Sequence, residues 1–248
     1  MSFDKVQEQR FELKYLINEQ KAQNVRHFIK NYLDADEYGI TQPQNSYSVH
    51  SLYLDSSNLK TYQDTINGNR NRFKIRIRHY GGEDQESVYL EMKRRYDRVI
   101  TKARAKVPVK KLEEIIYGPL PTMDHLVNQT EEQLRSLQQI CRMIREINAR
   151  PQIHVAYLRE AYELEESNAV RITFDRDVTA SYTNSLSLRA EQDNPVNVFG
   201  KTVILELKFT NRYPHWMNEL TQLFHLRLES AAKYVDGVNV LKRKKKIA

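Results

Sequence analysis

The segment Lys74-Ile75-Arg76-Ile77-Arg78 alternates cations with isoleucines. Because neighbouring side chains of a β-strand point to opposite faces, all three cations would lie on one face and both isoleucines on the other. Strict alternation of this kind is the main sequence signal of a half-buried strand. The segment therefore predicts a β-strand with one apolar face and one strongly positive face.

Period-two alternation recurs along the chain and predicts seven more strands. The eight segments are Phe11 to Ile17, Tyr47 to Leu54, Arg72 to Tyr80, Ser87 to Arg95, Ile100 to Val107, Gln152 to Tyr162, Val170 to Val178 and Thr202 to Thr210. Gly81-Gly82 lies between two of them and is typical of a hairpin turn. Eight strands with largely short connections indicate an antiparallel sheet, either open or closed into a barrel.

Helical periodicity appears between the predicted strands. Asn18 can cap a helix that runs through Leu33, and the clearest helix follows Thr130. A third apolar stripe follows Pro214, and a weaker one lies near the end of the chain. These stripes are interpreted as packing faces, with Cys141 as a core residue of the second helix. The predicted fold class is α+β, with helices that cover an antiparallel sheet.

Size and composition favour one domain in a reducing compartment. The 248 residues contain no fixed-period repeat and no Gly/Ser-rich linker, so a single domain over residues 1–248 is expected. The single cysteine, Cys141, excludes an intramolecular disulfide and a cysteine-based zinc site. Without a signal-peptide pattern or an apolar stretch of about 18 residues, a cytoplasmic protein lacking its own anchor is expected. The basic tail at about 242–248 is either a solvated end or a contact for anionic lipid or nucleic acid.

The charge of the chain and its distribution indicate an anionic partner. Lys plus Arg is 39 and Asp plus Glu is 32, which gives a formal net charge of +7. The cationic alternation recurs at Lys102, Arg104 and Lys106. One interpretation is that such faces are ordinary solvent faces of a sheet. The other is that an anion relieves their mutual repulsion, and a sheet closed with this face inward would form a basic tunnel for a chain of phosphates.

Three predicted strands carry a glutamate two residues before a lysine, so that both side chains share a face. The pairs are Glu12 with Lys14, Glu91 with Lys93, and Glu206 with Lys208. A carboxylate inside an anion site would repel the anion unless a cation intervenes. Glu206 is therefore predicted to be a hard oxygen ligand for Mg²⁺ or Mn²⁺. Glu12 and Glu91 are either further metal ligands or partners of arginines on neighbouring strands.

The ordered set of strand motifs resembles the VTC-domain polyphosphate polymerases, which belong to the triphosphate tunnel metalloenzymes. The matching pieces are FELKYLI (11–17), SVHSLYLDS (48–56), FKIRIRHY (73–80), VYLEMKRR (88–95), TKARAKV (101–107), VAYLREAY (155–162), VRITFDRDV (170–178), VILELKF (203–209) and AAKYVDGV (231–238). The pieces extend over nearly the whole chain. The resemblance implies an eight-stranded antiparallel β-tunnel with helices packed on the outside. In it, ATP would donate its terminal phosphate to inorganic polyphosphate with Mn²⁺ or Mg²⁺ as cofactor.

The resemblance also implies which residues contact phosphate. The implied set is Lys14, Arg76, Arg78, Lys93, Lys102, Arg159, Arg171 and Lys233, with Tyr157 and Lys208 on the same strands. Glu206 would hold the metal. The serine that usually precedes the late lysine of the family is Ala232 here, which removes a hydroxyl beside Lys233. Coupling to transport would require a separate membrane-protein partner, with the protein peripheral at the inner face of the membrane.

Several other functions are weighed against the polymerase. With water as acceptor the same site would be a tripolyphosphatase, and with intramolecular attack a nucleotidyl cyclase. A non-catalytic polyphosphate-binding subunit is a third alternative. Nucleic acid is not an expected partner, because RNP, KH and zinc-finger patterns are missing and the interleaved glutamates would oppose a bare phosphate backbone. His50, His79 and His154 fall in predicted strands and are expected to be packing or surface residues rather than ligands.

Overall fold

The computed structural model describes residues 10–81, 85–97, 99–164 and 167–247. The strands are β1 (Arg10–Ile17), β2 (Asp34–Ala35), β3 (Ser46–Asp55), β4 (Asn71–Tyr80), β5 (Ser87–Tyr96), β6 (Val99–Pro108), β7 (Arg150–Leu164), β8 (Ser167–Tyr182), β9 (Val196–Asn197) and β10 (Val203–Thr210). The α-helices are α1 (Glu19–Ile29), α2 (Glu37–Ile40), α3 (Lys60–Ile66), α4 (Leu112–Tyr117), α5 (Glu131–Glu146), α6 (His215–Leu223) and α7 (Lys233–Arg243). The predicted α+β class is confirmed. The pairs β1–β10, β10–β8, β2–β7, β3–β4, β4–β5, β5–β6 and β8–β9 are all antiparallel.

All eight predicted strands are present, at bounds close to those expected. Asn18 caps α1 by accepting a hydrogen bond from the backbone N–H of Lys21, but α1 ends at Ile29 rather than Leu33. Helices follow Thr130 and Pro214 as predicted. The short helices α2, α3 and α4 were not predicted. Gly82 of the expected Gly81-Gly82 turn lies outside the described residues.

The chain divides into two compact units. Unit 1 comprises residues 1–47, 157–177 and 199–231, and unit 2 comprises residues 48–156, 178–198 and 232–248. The prediction of a single domain over residues 1–248 stays a prediction. Among the described helices, none is both long and apolar enough to cross a bilayer.

In unit 1, β10 lies between β1 and β8. One face of these strands is apolar and packs against α1 and α6. The buried core includes Tyr15, Ala22, Val25, Ile29, Ile172, Phe174, Leu205, Leu207, Met217 and Leu220. Since alternate residues point the other way, the opposite face carries the charged side chains of the same strands.

In unit 2, β3, β4, β5 and β6 lie side by side in sequence order. Leu52, Ile77, Leu90 and Ala105 oppose one another across the four strands. This apolar face packs against α4 and α5. The helix residues in the core include Ile115, Ile116, Leu137, Ile140, Cys141 and Ile144, so Cys141 is a core residue as predicted.

A buried carboxylate at the end of β3 fixes the start of two helices in unit 2. Asp55 is fully buried and accepts hydrogen bonds from the backbone and hydroxyl of Thr61, the backbone of Tyr62 and the hydroxyl of Tyr234. The ring of Tyr53 stacks on Tyr234 with centroids 4.6 Å apart. Asp55 thus links α3 and α7 to β3 and orients the aromatic residues beside Lys233.

Candidate functional site

The face of β4, β5 and β6 opposite the apolar core of unit 2 is dominated by cations. Register places Arg76, Glu91 and Arg104 opposite one another, with Lys74, Lys93 and Lys102 in the next row. On the other side of Glu91, Arg78 and Lys106 both oppose Tyr89. We call the surface formed by these three rows the basic face, and the seven cations of the three rows are Lys74, Arg76, Arg78, Lys93, Lys102, Arg104 and Lys106. The sharing of one face by the cations of each strand, predicted from alternation, is confirmed.

Glu91 is the one carboxylate among the paired residues of the basic face, and its exposed fraction is 2%. Its oxygens lie 2.7 Å from Arg76 Nη2, 3.0 Å from Lys102 Nζ and 3.1 Å from Arg104 Nε. Burial raises the pKa of Glu91, but the surrounding cations outweigh burial and hold it well below its usual range. Glu91 therefore acts as an ion-pair partner of the neighbouring strands, one of its two expected roles.

The row formed by Lys74, Lys93 and Lys102 places three lysines opposite one another across three strands. Like charges in such positions repel and destabilise a sheet. Lys74 Nζ lies 5.9 Å from the centroid of the Tyr234 ring, a separation at which a cation is attracted to the aromatic face. The row nevertheless leaves this end of the basic face with an excess of positive charge.

Tyrosines orient the guanidinium groups of the basic face. Arg76 Nη1 lies 3.3 Å from the hydroxyl of Tyr53, and the Arg104 guanidinium lies 3.6 Å from the centroid of the Tyr89 ring. Burial raises the pKa of Tyr53, but Arg76 and Arg78 outweigh it and the net shift is downward. A net lowering of the pKa of a buried phenol indicates a strongly positive local potential.

A second charged cluster lies in unit 1 around Glu206, whose exposed fraction is 3%. Its oxygens lie 2.7 Å from Lys208 Nζ, 3.1 Å from Lys14 Nζ and 3.7 Å from Arg159 Nη2. Lys14 Nζ also lies 3.0 Å from Glu12 Oε1. We call these five residues the Glu206 cluster: Glu12, Lys14, Arg159, Glu206 and Lys208. The register explains the cluster, because Lys14 opposes Glu206 and Glu12 opposes Lys208.

Arg159 is held by a buried partner that the sequence did not identify. Its Nε and Nη2 donate hydrogen bonds of 2.7 Å each to the two oxygens of Asp175, which is fully buried. Burial lowers the pKa of Arg159, but Asp175 outweighs burial and raises it. The two-point contact fixes the plane of the guanidinium.

Arg171 and Lys208 differ in their surroundings. Arg171 is engaged by the carboxylates of Glu163 and Asp36, the latter at 2.6 Å, and neither contact was predicted. Lys208 opposes Arg171 across the strands. The pKa of Lys208 is lowered from 10.5 to about 8, mainly by burial and also by Arg159, against the opposing effect of Glu206. Lys208 therefore loses its proton more readily than an exposed lysine.

The predicted site residues fall into two groups. The structure brings Glu12, Lys14, Tyr157, Arg159, Arg171, Glu206 and Lys208 together in unit 1, and Arg76, Arg78, Glu91, Lys93, Lys102 and Lys233 in unit 2. The Arg159 guanidinium lies 5.2 Å from the centroid of the Tyr157 ring. Lys233 is the first residue of α7 and is 9% exposed. The roles of these residues in binding stay predictions.

The Glu206 cluster contains the oxygen ligands expected of a magnesium or manganese site. Glu12 and Glu206 both approach the ammonium group of Lys14, so two carboxylates already converge on one positive charge. Mg²⁺ is commonly held by one or two carboxylates and by phosphate oxygens of the substrate. The residues present therefore fit a hard divalent cation that arrives with a phosphate ligand.

Comparison with known proteins identifies relatives over most of the chain. The model of the VTC domain family matches residues 9–242. Vacuolar transporter chaperone complex subunit 2 of Schizosaccharomyces pombe is 21% identical over 246 aligned positions, which cover 86% of this chain and 33% of the relative. The chain thus spans about a third of the length of that curated relative.

Two solved structures are similar at low sequence identity. The PH1819 protein from Pyrococcus horikoshii OT3 has a TM-score of 0.46 and 12% identity, with 95% of this chain and 99% of that chain covered. A chain of the Schizosaccharomyces pombe Mediator head module has a TM-score of 0.39 and 9% identity, with 96% and 93% covered.

Proposed function

Because this chain belongs to the VTC domain family, we propose that it is a polyphosphate polymerase that transfers the terminal phosphate of ATP to inorganic polyphosphate. The observation that carries the proposal is the basic face of unit 2, where seven cations share one surface with Glu91. Membership of the polyphosphate polymerase family supports the choice of substrate. Closure of the strands into a tunnel stays a prediction.

Polyphosphate suits the basic face because polyphosphate is a linear chain with closely spaced negative charges. Every phosphate unit of the chain carries a negative charge, and neighbouring strands lie about 4.8 Å apart. A chain that crosses β4, β5 and β6 would meet Lys74, Lys93 and Lys102 in succession. It would relieve the repulsion within that row while the arginines of the next row donate paired hydrogen bonds to phosphate oxygens.

The Glu206 cluster is proposed to hold further phosphates. Lys14, Arg159 and Lys208 would contact phosphate oxygens, with Arg159 oriented by Asp175. Glu206, with Glu12, would hold Mn²⁺ or Mg²⁺. When bound, such an ion would polarise the phosphate oxygens and neutralise part of the charge on the transferring group.

The proposed mechanism uses positioning and electrostatics rather than a covalent enzyme intermediate. The chain's cations would bind the donor and the acceptor in line and stabilise the charge that develops on the transferring phosphoryl group. Arg159 can do so without reorganisation because its guanidinium is already fixed by two hydrogen bonds. The ammonium of Lys208 can change its position on phosphate binding, because one short contact to Glu206 holds it in place.

A non-catalytic polyphosphate-binding subunit is the second candidate, favoured by one observation. In unit 1, the cations Lys14, Arg159 and Arg171 are each engaged by carboxylates of the protein itself. Phosphate would have to compete with those carboxylates for the same donors. Such a protein would bind polyphosphate through the basic face of unit 2 without turnover.

The protein is further proposed to act at a membrane through a partner. The S. pombe relative is named as a subunit of a vacuolar transporter chaperone complex. By analogy, this chain would lie on the cytoplasmic side of a membrane and pass its product to a separate membrane protein.

Product analysis tests the proposed function. Purified protein is incubated with ATP labelled in the terminal phosphate and with Mn²⁺, and the products are separated by length. Long labelled chains are expected. Release of orthophosphate alone, or formation of cyclic nucleotide, would contradict the polymerase. Tight polyphosphate binding without turnover in any metal would favour the binding subunit.

The lowered pKa of Lys208 predicts a pH dependence of binding. Deprotonation removes one cation, so polyphosphate affinity is expected to fall about 3- to 10-fold as pH rises from 7 to 9.5. Without ligand, the cost of keeping Lys208 charged is fully present below pH 8. Between pH 8 and 10.5 the folded protein has lost the Lys208 proton, whereas the unfolded chain still binds it. The free energy of unfolding therefore rises with pH in this range, as the cost of charging Lys208 disappears.

Titration of binding against pH, with Lys208→Arg as the matched variant, checks this prediction. Arginine keeps its charge throughout the range, so its affinity curve should be flatter than that of the wild type. Identical pH profiles for the two proteins would show that Lys208 does not titrate in contact with the anion.

A further inference from the structure

Three histidines of unit 2 lie together in its interior. His50 is on β3, His79 on β4 and His154 on β7, and their exposed fractions are 4%, 2% and 7%. One ring nitrogen from each lies within 4.8 Å of those of the other two. The sequence predicted packing or surface positions for these residues, and the structure shows all three buried in one cluster.

The distance between two ring nitrogens of the cluster is close to that between two ligands of one zinc ion. His50 Nδ1 lies 3.1 Å from His154 Nε2. In a tetrahedral zinc site with Zn–N distances of about 2.0–2.1 Å, two ligand nitrogens are roughly 3.3 Å apart. His50 and His79 oppose each other in the β3–β4 register, and their rings stack with centroids 4.7 Å apart.

Two nitrogens of the cluster have unusual surroundings. His50 Nε2 and His79 Nδ1 are buried and have no hydrogen-bond partner within the described part of the chain. Buried polar atoms in native proteins nearly always have a partner. His50 faces His154 through Nδ1, so an ion bound between the rings would account for at most one of the two orphaned nitrogens, Nδ1 of His79. Burial lowers the pKa of His50, and burial with the neighbouring histidines lowers those of His79 and His154 to about 4 and about 3. Neutral imidazole is the form that binds metals.

We propose that His50, His79 and His154 bind one Zn²⁺ ion in the interior of unit 2. Imidazole nitrogen suits zinc and disfavours the hard ions Mg²⁺ and Mn²⁺. The cluster supplies three ligands from the described residues, and water would take the fourth position of a tetrahedral site. The ion would tie β3, β4 and β7 together.

The zinc site is separate from the basic face. His79 follows Arg78 on β4, and adjacent residues of a strand point to opposite sides. His50 and His79 therefore lie on the same side of β3 and β4 as Leu52 and Ile77, which belong to the apolar core. Zinc bound there would hold the strands from behind the basic face and would not contact phosphate.

Binding of Co²⁺, used as a spectroscopic probe for zinc, tests the proposal. The full chain, freed of metal with a chelator and carrying no histidine tag, is titrated with Co²⁺ and then with Zn²⁺. One equivalent of Co²⁺ is expected to give visible absorption that Zn²⁺ removes and excess Mn²⁺ does not. Zn²⁺ should also raise the thermal unfolding midpoint.

Variants identify the ligands. His154→Gln and, separately, His79→Gln should each lose at least about 100-fold in Co²⁺ affinity and abolish the zinc-dependent shift of the midpoint. His215→Gln, at an exposed position on α6, is the matched control and should bind as the wild type does. Glu206→Gln should also retain the zinc site.

The proposal would be overturned if the wild-type protein bound less than about a tenth of an equivalent of Co²⁺. It would also be overturned if the ligand variants bound Co²⁺ as the control does. If both glutamine variants fail to fold, the wild-type titration and its metal content decide the question.

Discussion

Replacing Glu206 with glutamine is expected to lower kcat/KM for polyphosphate synthesis by about 10³-fold. Glutamine keeps the size of the side chain and one of its oxygens, but it removes the charge that three cations surround. Mn²⁺ or Mg²⁺ would lose its anionic ligand. Because removal of a negative charge favours an incoming anion, metal-free binding of polyphosphate should be as tight as in the wild type or tighter.

The measurement is synthesis from labelled ATP together with the Kd for polyphosphate of defined length. Glu219→Gln, an exposed carboxylate on α6 of the same unit, is the matched control and should leave synthesis unchanged. Synthesis by Glu206→Gln at the wild-type rate would contradict the metal role. Parallel loss of metal-free binding and synthesis would show instead that Glu206 organises the anion site.

The second large effect is expected on stability. Glu91→Gln should lower the free energy of unfolding by about 2–3 kcal/mol in the absence of ligand, because four nearby cations lose their carboxylate. Partial exposure of Arg76, Lys102 and Arg104 reduces the cost below that of a fully buried pair. Polyphosphate supplies the missing negative charge, so saturating polyphosphate should stabilise the variant more than the wild type.

Denaturant unfolding with and without polyphosphate measures both effects. Glu113→Gln removes an exposed carboxylate of α4 in the same unit and should change the free energy of unfolding by less than about 0.5 kcal/mol. An equal ligand-induced gain in Glu91→Gln and wild type would mean that polyphosphate does not reach the cations around Glu91.

The sequence predicted the strands and the faces of their side chains, because alternation is a local property. Lys74, Arg76 and Arg78 share a face once the segment is a strand, whatever the rest of the chain does. The register between strands is not local. The opposition of Lys93 to Lys74 and Lys102, on which the argument for an anion depends, became evident only from the paired strands.

The contacts that the sequence could not provide join residues far apart in the chain. Asp36 and Arg171 are separated by 135 positions, and His50 and His154 by 104. Asp175 lies in the predicted strand Val170 to Val178, but its two hydrogen bonds to Arg159 depend on the pairing of different strands. The helices α2, α3 and α4 contain four to seven residues each. Segments of this length are too short to show helical periodicity in the sequence.

The central claim is that the basic face of unit 2 binds polyphosphate, and the most direct test compares two variants of equal net charge. Lys93→Gln/Lys102→Gln removes two of three opposed lysines, whereas Arg135→Gln/Arg142→Gln removes two exposed cations of α5. Binding of fluorescent polyphosphate is measured over a range of salt concentrations. The lysine variant is expected to bind at least about tenfold more weakly than the arginine variant and with a shallower salt dependence. Equal affinities and equal salt slopes for the two variants would contradict it.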